Sequence, residues 1–311
     1  MIGPERQLSL ALAARRHYLE GRSKVAIAEE FGLSRFQVAR MLDQARELGI
    51  VRFVVDLPGP VDGPRSLALR ERLGLRRAVV VATANDDPDA RRASLGRAAA
   101  ALAAEIITPI DVVGVTAGRT LNMMARAMAP ITAAGVVQLA GAAGPIQATA
   151  VEVVRRFSRA CNAPVYPLYC PLLASDAAAA RVLRRQPEIR RALERIASVT
   201  VAWVAIGAWD PPDSELPGNS ALAEVIASLP GQAEIAADVG CVLLTGDGRA
   251  LAAAERLGVG ASASQLRAIP DVVAVAGGAL KAAAIAAAIA SGVVRSLVTD
   301  VAAARVLLGE N

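Results

Sequence analysis

Beyond residue 77 the chain alternates short apolar, largely β-branched runs with longer stretches rich in Ala, Arg and Leu that keep a helical period. The runs fall at 78–83, 112–116, 135–139, 199–206, 239–244, 272–276 and 297–299. Between them the spacing predicts helices over 88–107, 119–129, 147–160, 176–197, 219–229 and 280–291. Strands that are apolar on both faces need cover on both faces, and intervening helices supply it. The pattern therefore specifies an α/β domain with a mainly parallel, Rossmann-like sheet.

A break precedes this domain. Leu57-Pro58-Gly59-Pro60-Val61-Asp62-Gly63-Pro64 packs three prolines and two glycines into eight residues, which precludes a regular helix or a central strand. The expected organisation is a small helical domain over 1–57, a linker over 58–64 and the α/β domain over 65–311. With 54% hydrophobic and 20% charged residues in 311, the chain excludes disorder and a disulfide-stapled miniprotein. The longest alanine-rich apolar run, 282–290, is too short to span a bilayer. Near the amino end Glu5 precedes the apolar Leu8–Ala14 stretch and Arg15-Arg16 follow it. That charge order is wrong for export and right for an amphipathic helix in a cytoplasmic protein. Cys161, Cys170 and Cys241 contain no C-x-x-C pair, so neither a disulfide framework nor a zinc site is indicated, and no metal is expected.

In the small domain the pattern is helical throughout. Leu8–Leu19 reads as a supporting first helix. Ser23–Phe31 reads as a second, with Val25, Ala28 and Phe31 inward. Gly32-Leu33 turns the chain and Ser34 opens a third, in which Val38, Met41, Leu42, Ala45 and Leu48 recur at spacings of three and four. Arg35, Phe36, Ala39, Arg40 and Asp43 then face away. An outward face carrying Arg, Gln and Arg near the helix start suits a major groove, so a helix-turn-helix reading operator DNA through Ser34, Arg35, Phe36, Gln37 and Arg40 is expected. Ser34 with Gln37 is equally a capping box, in which Gln37 returns to the backbone and reads no base. After Gly49, Ile50–Asp56 has the composition of a strand or wing. His17, the sole histidine, sits in the first helix, where a surface or packing role is expected.

Net charge is +5, and the basic residues are spread over both domains, so charge alone does not establish a nucleic-acid partner. Of 34 basic side chains only Lys24 and Lys281 are lysine, which singles out Lys281 in the larger domain. Its place in a helix's first turn opposes the helix dipole, for which an anionic partner compensates, although a long lysine also snorkels harmlessly. The run 112–120 reads as strand, then Thr-Ala-Gly-Arg-Thr, then helix. Unpaired amides, hydroxyls and the dipole at such a turn form an anion site, to which Arg119 adds a fixed charge. Thr116, Gly118, Arg119 and Thr120 are therefore the expected phosphate loop; alternatively Thr120 is only an N-cap and Arg119 a surface residue. The loop is neither G-x-G-x-x-G nor a Walker loop, so no nucleotide cofactor is indicated. Open α/β sheets bind ligands outside their strands' carboxyl ends. Gln138 and Gly141 lie at one such end, and Gly277, Gly278 and Lys281 at another. Asp176, Asp210 and Asp238 are candidate hydroxyl acceptors.

The segment 24–51, KVAIAEEFGLSRFQVARMLDQARELGIV, resembles the DNA-binding domain of SorC-type, DeoR-related bacterial transcriptional regulators. The likeness continues through VGVTAGRTL at 113–121, VQLAG at 137–141, IPDVVAVAGG at 269–278 with Lys281, and LVTDVAA at 297–303. It implies an effector domain with the fold of sugar-phosphate isomerases and glucosamine-phosphate deaminases. It also implies a phosphorylated sugar or polyol effector, and a homodimer or homotetramer. Leu280 stands where the family commonly has an acidic residue, Ala117 replaces a larger residue, and Ala148-Thr149 replaces a more polar pattern. The rival implied by the fold is an isomerase or deaminase whose amino-terminal helices serve assembly. Such proton abstraction needs a positioned base, often a carboxylate partnered by histidine, and the α/β domain has no histidine. Catalytic residues are therefore not assigned, and the chain is expected not to be an enzyme.

Overall fold

A computed structural model describes residues 2–53, 60–83, 87–143, 147–214, 216, 226–228 and 234–310. The chain divides into two compact units, Met1–Asp56 and Leu57–Asn311.

The smaller unit is three helices: α1 (Pro4–Tyr18), α2 (Lys24–Phe31) and α3 (Arg35–Glu47). Ser23 caps α2 by accepting from the Ala26 amide at 3.1 Å, and Gly32, at φ 63°, ends it in the left-handed conformation that glycine adopts without strain. Leu10, Ile27, Val38 and Leu42 are fully buried between the helices. Two expected core residues are not. Val25 is 50% exposed because Ile27 and Ala28, with Phe31 one turn on, form the inner face. Leu48 is the C-cap of α3 and lies beyond its buried stripe, 47% exposed. Residues 50–53 form no strand. The remainder of the expected wing, 54–56, lies outside the described residues, as do most of the linker's first residues and of the helix expected over 219–229.

In the larger unit seven strands form one parallel sheet in the order β1-β10-β9-β5-β2-β3-β4. They are β1 (Arg77–Val81), β2 (Val112–Val115), β3 (Gly135–Gln138), β4 (Val165–Tyr166), β5 (Val201–Val204), β9 (Asp271–Val275) and β10 (Ser296–Asp300). The remaining strands, β6 (Gly207–Ala208), β7 (Ile235–Val239) and β8 (Val242–Thr245), make a small antiparallel sheet. Helices α4 (Gly63–Arg72), α5 (Pro88–Ile106), α6 (Arg119–Ala127), α7 (Gln147–Ala160), α8 (Ala177–Arg185), α9 (Pro187–Arg195), α10 (Ala252–Leu257), α11 (Ala263–Ala268), α12 (Ala282–Ala290) and α13 (Val301–Leu308) complete it. Successive residues of one strand feed different cores. Ala202, Val204, Val272 and Ala274 join the first, while Val201, Trp203, Val273 and Val275 join the second. This is the period of two expected of a sheet buried on both faces.

The expected helix over 176–197 is broken at Gln186-Pro187. A residue before proline is pushed out of the α region, and Gln186 is extended at ψ 132°, while Pro187 opens α9 at its first turn. The run 239–244 is likewise not one strand. Gly240, at φ 61°, turns the chain between β7 and β8. Four helices, α4, α10, α11 and α13, lie outside the helices expected from sequence, and two of them start at aspartates that read as loop or strand end. Asp62 caps α4 by accepting from the Arg65 amide at 3.0 Å, and Asp300 caps α13 from the Ala303 amide at 2.9 Å.

All three cysteines are free and buried, and burial raises the thiols of Cys161 and Cys170 to about 11 and that of Cys241 to about 12. An unfolded thiol loses its proton near pH 9, so above that pH the unfolded chain binds fewer protons than the native one and stability falls as pH rises. Urea unfolding between pH 8.5 and 11 is expected to show this loss, and Cys241→Ala to make it shallower.

Candidate functional site

The chain leaves β2 and turns out along β3 and β4, then returns to β5 on the other side of β2 and continues to β9 and β10. The loops after β2 and β5 therefore diverge from neighbouring strands, and a crevice opens at their carboxyl ends. The Thr116 hydroxyl spans the divergence, accepting from the Ala205 amide at 3.1 Å. A cavity of about 680 Å3 lies there. Of the expected ligand-binding residues, Thr116, Gly118, Arg119 and Thr120 after β2, Gly141 after β3, Asp238 on β7, and Gly277, Gly278 and Lys281 after β9 all line it.

The glycines are required by close approach. A Cβ at Gly118 would lie 2.6 Å from that of Ala205, and one at Gly141 would lie 2.5 Å from the Pro171 carbonyl oxygen. Gln138 is the exception among the expected ligand residues. Its side chain is buried 1% exposed and donates to the Ala140 carbonyl at 2.7 Å while accepting from the Leu168 amide at 3.1 Å. A strand-end glutamine is here consumed by its own neighbouring backbone and does not reach the cavity. Asp176 is likewise spent, capping α8 through the Ala178 and Ala179 amides. Asp210 is exposed and does not line the cavity, whereas its neighbours Pro211 and Pro212 do.

The electrostatics centre on an aspartate that the sequence did not single out. Asp213 bonds Arg119 through one carboxylate oxygen, and its other oxygen lies 3.3 Å from Lys281 Nζ. Lys281 also donates to the Ile206 carbonyl at 2.8 Å and is only 15% exposed. Burial lowers the pKa of its ammonium; Asp213 and Asp238 work against that, and Arg119 reinforces it. Burial would raise the pKa of Asp213, but Lys281 and Arg119 outweigh it and hold the carboxyl below its ordinary value. Asp238 accepts from Trp209 Nε1 at 2.8 Å.

A second aspartate shapes the wall. Asp300, fully buried, accepts from the Gly278 amide at 2.9 Å, caps α13, and pairs with Arg91 Nε at 2.8 Å. Arg91 and Arg92 both line the cavity. Arg91 sits in the first turn of α5, so the dipole argument that singled out Lys281 applies to it equally. Asp213 gave no such signal, because its partners lie 68 and 94 residues away.

In the smaller unit the capping box is formed. Ser34 Oγ accepts from the Gln37 amide at 3.2 Å, and Gln37 Oε1 accepts from the Ser34 amide at 2.8 Å. Gln37's carbonyl is thus held by the cap, on a residue that is itself exposed. Arg35, Phe36 and Arg40 are exposed on α3, Phe36 by 75%.

A helix-turn-helix on one chain with a parallel α/β unit, whose cationic pocket lies at the strand-order reversal, is the build of ligand-responsive DNA-binding proteins as a class. A family model described as "Putative sugar-binding domain" matches residues 64–309. The chain belongs to this sugar-binding domain family. The transcriptional regulator LsrR of Klebsiella pneumoniae is 28% identical over 300 residues, covering 94% of this chain and 90% of that one. The deoxyribonucleoside regulator of Bacillus subtilis is 30% identical over 208 residues, 65% of this chain and 66% of that one. In fold the chain matches the full-length sorbitol operon regulator SorC of Klebsiella pneumoniae, with a TM-score of 0.72 at 19% identity, over 98% of this chain and all of that one.

Asp300→Ala takes the acceptor from two buried amides and the carboxylate from its pair with Arg91, which is expected to cost about 3 kcal/mol in a urea titration. Arg35→Ala and Arg40→Ala, both on an exposed face, are expected to stay within about 0.5 kcal/mol of the parent.

Proposed function

We propose that this protein is a cytoplasmic transcriptional regulator of a carbohydrate or polyol catabolic operon, acting as a homodimer or homotetramer and controlled by a phosphorylated sugar or polyol. The observation that carries the reading is the convergence of Arg119, at the start of α6, with Lys281 across one pocket at the sheet's carboxyl edge. Two cations, the Thr116 and Thr120 hydroxyls and glycine-lined backbone suit a phosphate, while Asp238 suits sugar hydroxyls. Relatives named as regulators over nearly the full length support the coupling to DNA.

On the DNA side Arg35 and Arg40 contact the operator, with Phe36 against it and the Gln37 NH2 group donating. Ser34 acts by holding the helix start in place. A single α3 reads few bases, and pairing two of them on a palindromic operator supplies the affinity. Binding proceeds without turnover. Among the described residues that line the pocket there is no histidine to serve as a general base.

Thermal unfolding against individual hexose, pentose and polyol phosphates tests the pocket. A bound effector at a hundredfold over its Kd adds about 2.7 kcal/mol by mass action. Wild type is expected to gain stability with at least one compound, and Arg119→Ala and Lys281→Ala to lose that gain; a gain unchanged in both variants would contradict the assignment. On operator DNA, Arg40→Ala is expected to weaken binding about tenfold or more without altering the effector's thermal shift. Wild-type affinity should fall steeply from 50 to 200 mM salt as counterions are released. Salt-independent binding would contradict the assigned face.

A further inference from the structure

Asp213 stands where an anionic ligand would have to go. Its two carboxylate oxygens reach the two cations on which the phosphate reading rests, one to Arg119 and one to Lys281. Those partners come from separate strand ends, so the carboxylate bridges the cavity from one wall to another. Its own position is fixed locally: the Asp213 amide donates to the Ala208 carbonyl at 2.9 Å, and Trp209 bridges Pro212. The side chain is nevertheless 42% exposed, as Arg119 is by 45%. The Arg119 pair, open to water on both sides, is worth little net, whereas the Lys281 ammonium that Asp213 also meets is only 15% exposed and holds the carboxylate more firmly.

We infer that Asp213 is a built-in competitor for the anion site, which lowers the affinity of every anion alike and so keeps weakly bound monoanions such as sugar acids out of the pocket while dianionic phosphate esters still bind. This rests on the phosphate assignment above. A carboxylate tethered in the same chain holds the cations at an effective concentration in the millimolar range, so a free carboxylate must exchange one equivalent group for another against that advantage. A phosphate ester brings a charge of about −1.5 to −2 and three acceptor oxygens, which one aspartate cannot match. The competitor thus costs every anion some affinity. The cost is common to both, so the intrinsically weaker monoanion falls below occupancy while the dianion keeps a site.

The test uses the full-length protein with inorganic phosphate, sulfate and acetate as probes, read by thermal unfolding and by calorimetry. Sulfate provides a dianion that stays fully ionised. Asp213→Asn keeps the shape and removes the charge; Asp213→Ala removes the side chain's acceptors altogether. Both variants, checked for native circular dichroism, are expected to bind phosphate and sulfate about tenfold tighter than wild type and to acquire acetate binding that wild type lacks. Equal or weaker phosphate and sulfate binding in both variants, with wild-type binding present and lost in Arg119→Ala, would overturn the competitor role while leaving the phosphate site intact. Absence of phosphate and sulfate binding in wild type and variants alike would overturn both.

Discussion

Burial of one parallel sheet on both faces is the constraint from which the larger unit follows. Residues of β3, β5, β9 and β10 are all buried, so side chains along these strands have almost nowhere to carry polar chemistry except past their ends. At the carboxyl edge the strand order reverses between β2 and β5, and the departing loops cannot close over each other. Thr116 ties the two strands at their last shared point, and Gly118 gives way to Ala205 just beyond it. The crevice, the donors that face it and the helix amino end above it are consequences of topology before any particular side chain is chosen.

Side-chain choice then sets the electrostatics. Two aspartates hold the cations at the crevice in different ways. Asp300 is buried, bonds two amides through one oxygen and pairs with Arg91 through the other, and so fixes the Gly277-Gly278 turn and Arg91 as wall. Asp213 is half exposed, and its contacts are shared between two cations that both face the cavity. A buried pair is costly to break because one charge is stranded, whereas an open one dissolves readily into solvent. The same residue type thereby serves as scaffold in one place and as an exchangeable group in another.

Much of this was legible from sequence because parallel strands and amphipathic helices write their periods plainly. The helix at 147–160 and the strands at 112, 135 and 271 were read nearly to the residue, while the run 199–206 overran β5 by two residues at each end. Thr116, Gly118, Arg119, Gly277, Gly278 and Lys281 were legible because strand-end loops in an α/β fold have few places to go. The failures share a cause. Gln138 was a polar residue at the right strand end, but hydrogen bonds to Ala140 and Leu168 decide its fate, and those are set by packing. Asp213 and Asp300 act through partners distant in sequence. Helices α4 and α13 begin at capping aspartates next to residues that read as loop or strand, and Gln186-Pro187 broke a helix that periodicity alone had joined.

Regulation requires that effector and DNA each favour one arrangement of the chain or its assembly, and that coupling is reciprocal. The direct measurement is fluorescence anisotropy of a DNA fragment from immediately upstream of the protein's own gene, titrated with and without a saturating sugar phosphate. In wild type the effector is expected to shift DNA affinity by roughly 5- to 150-fold, and in Arg119→Ala to leave it where it was. Equal DNA affinity with and without a ligand shown to occupy the wild-type pocket would contradict the account.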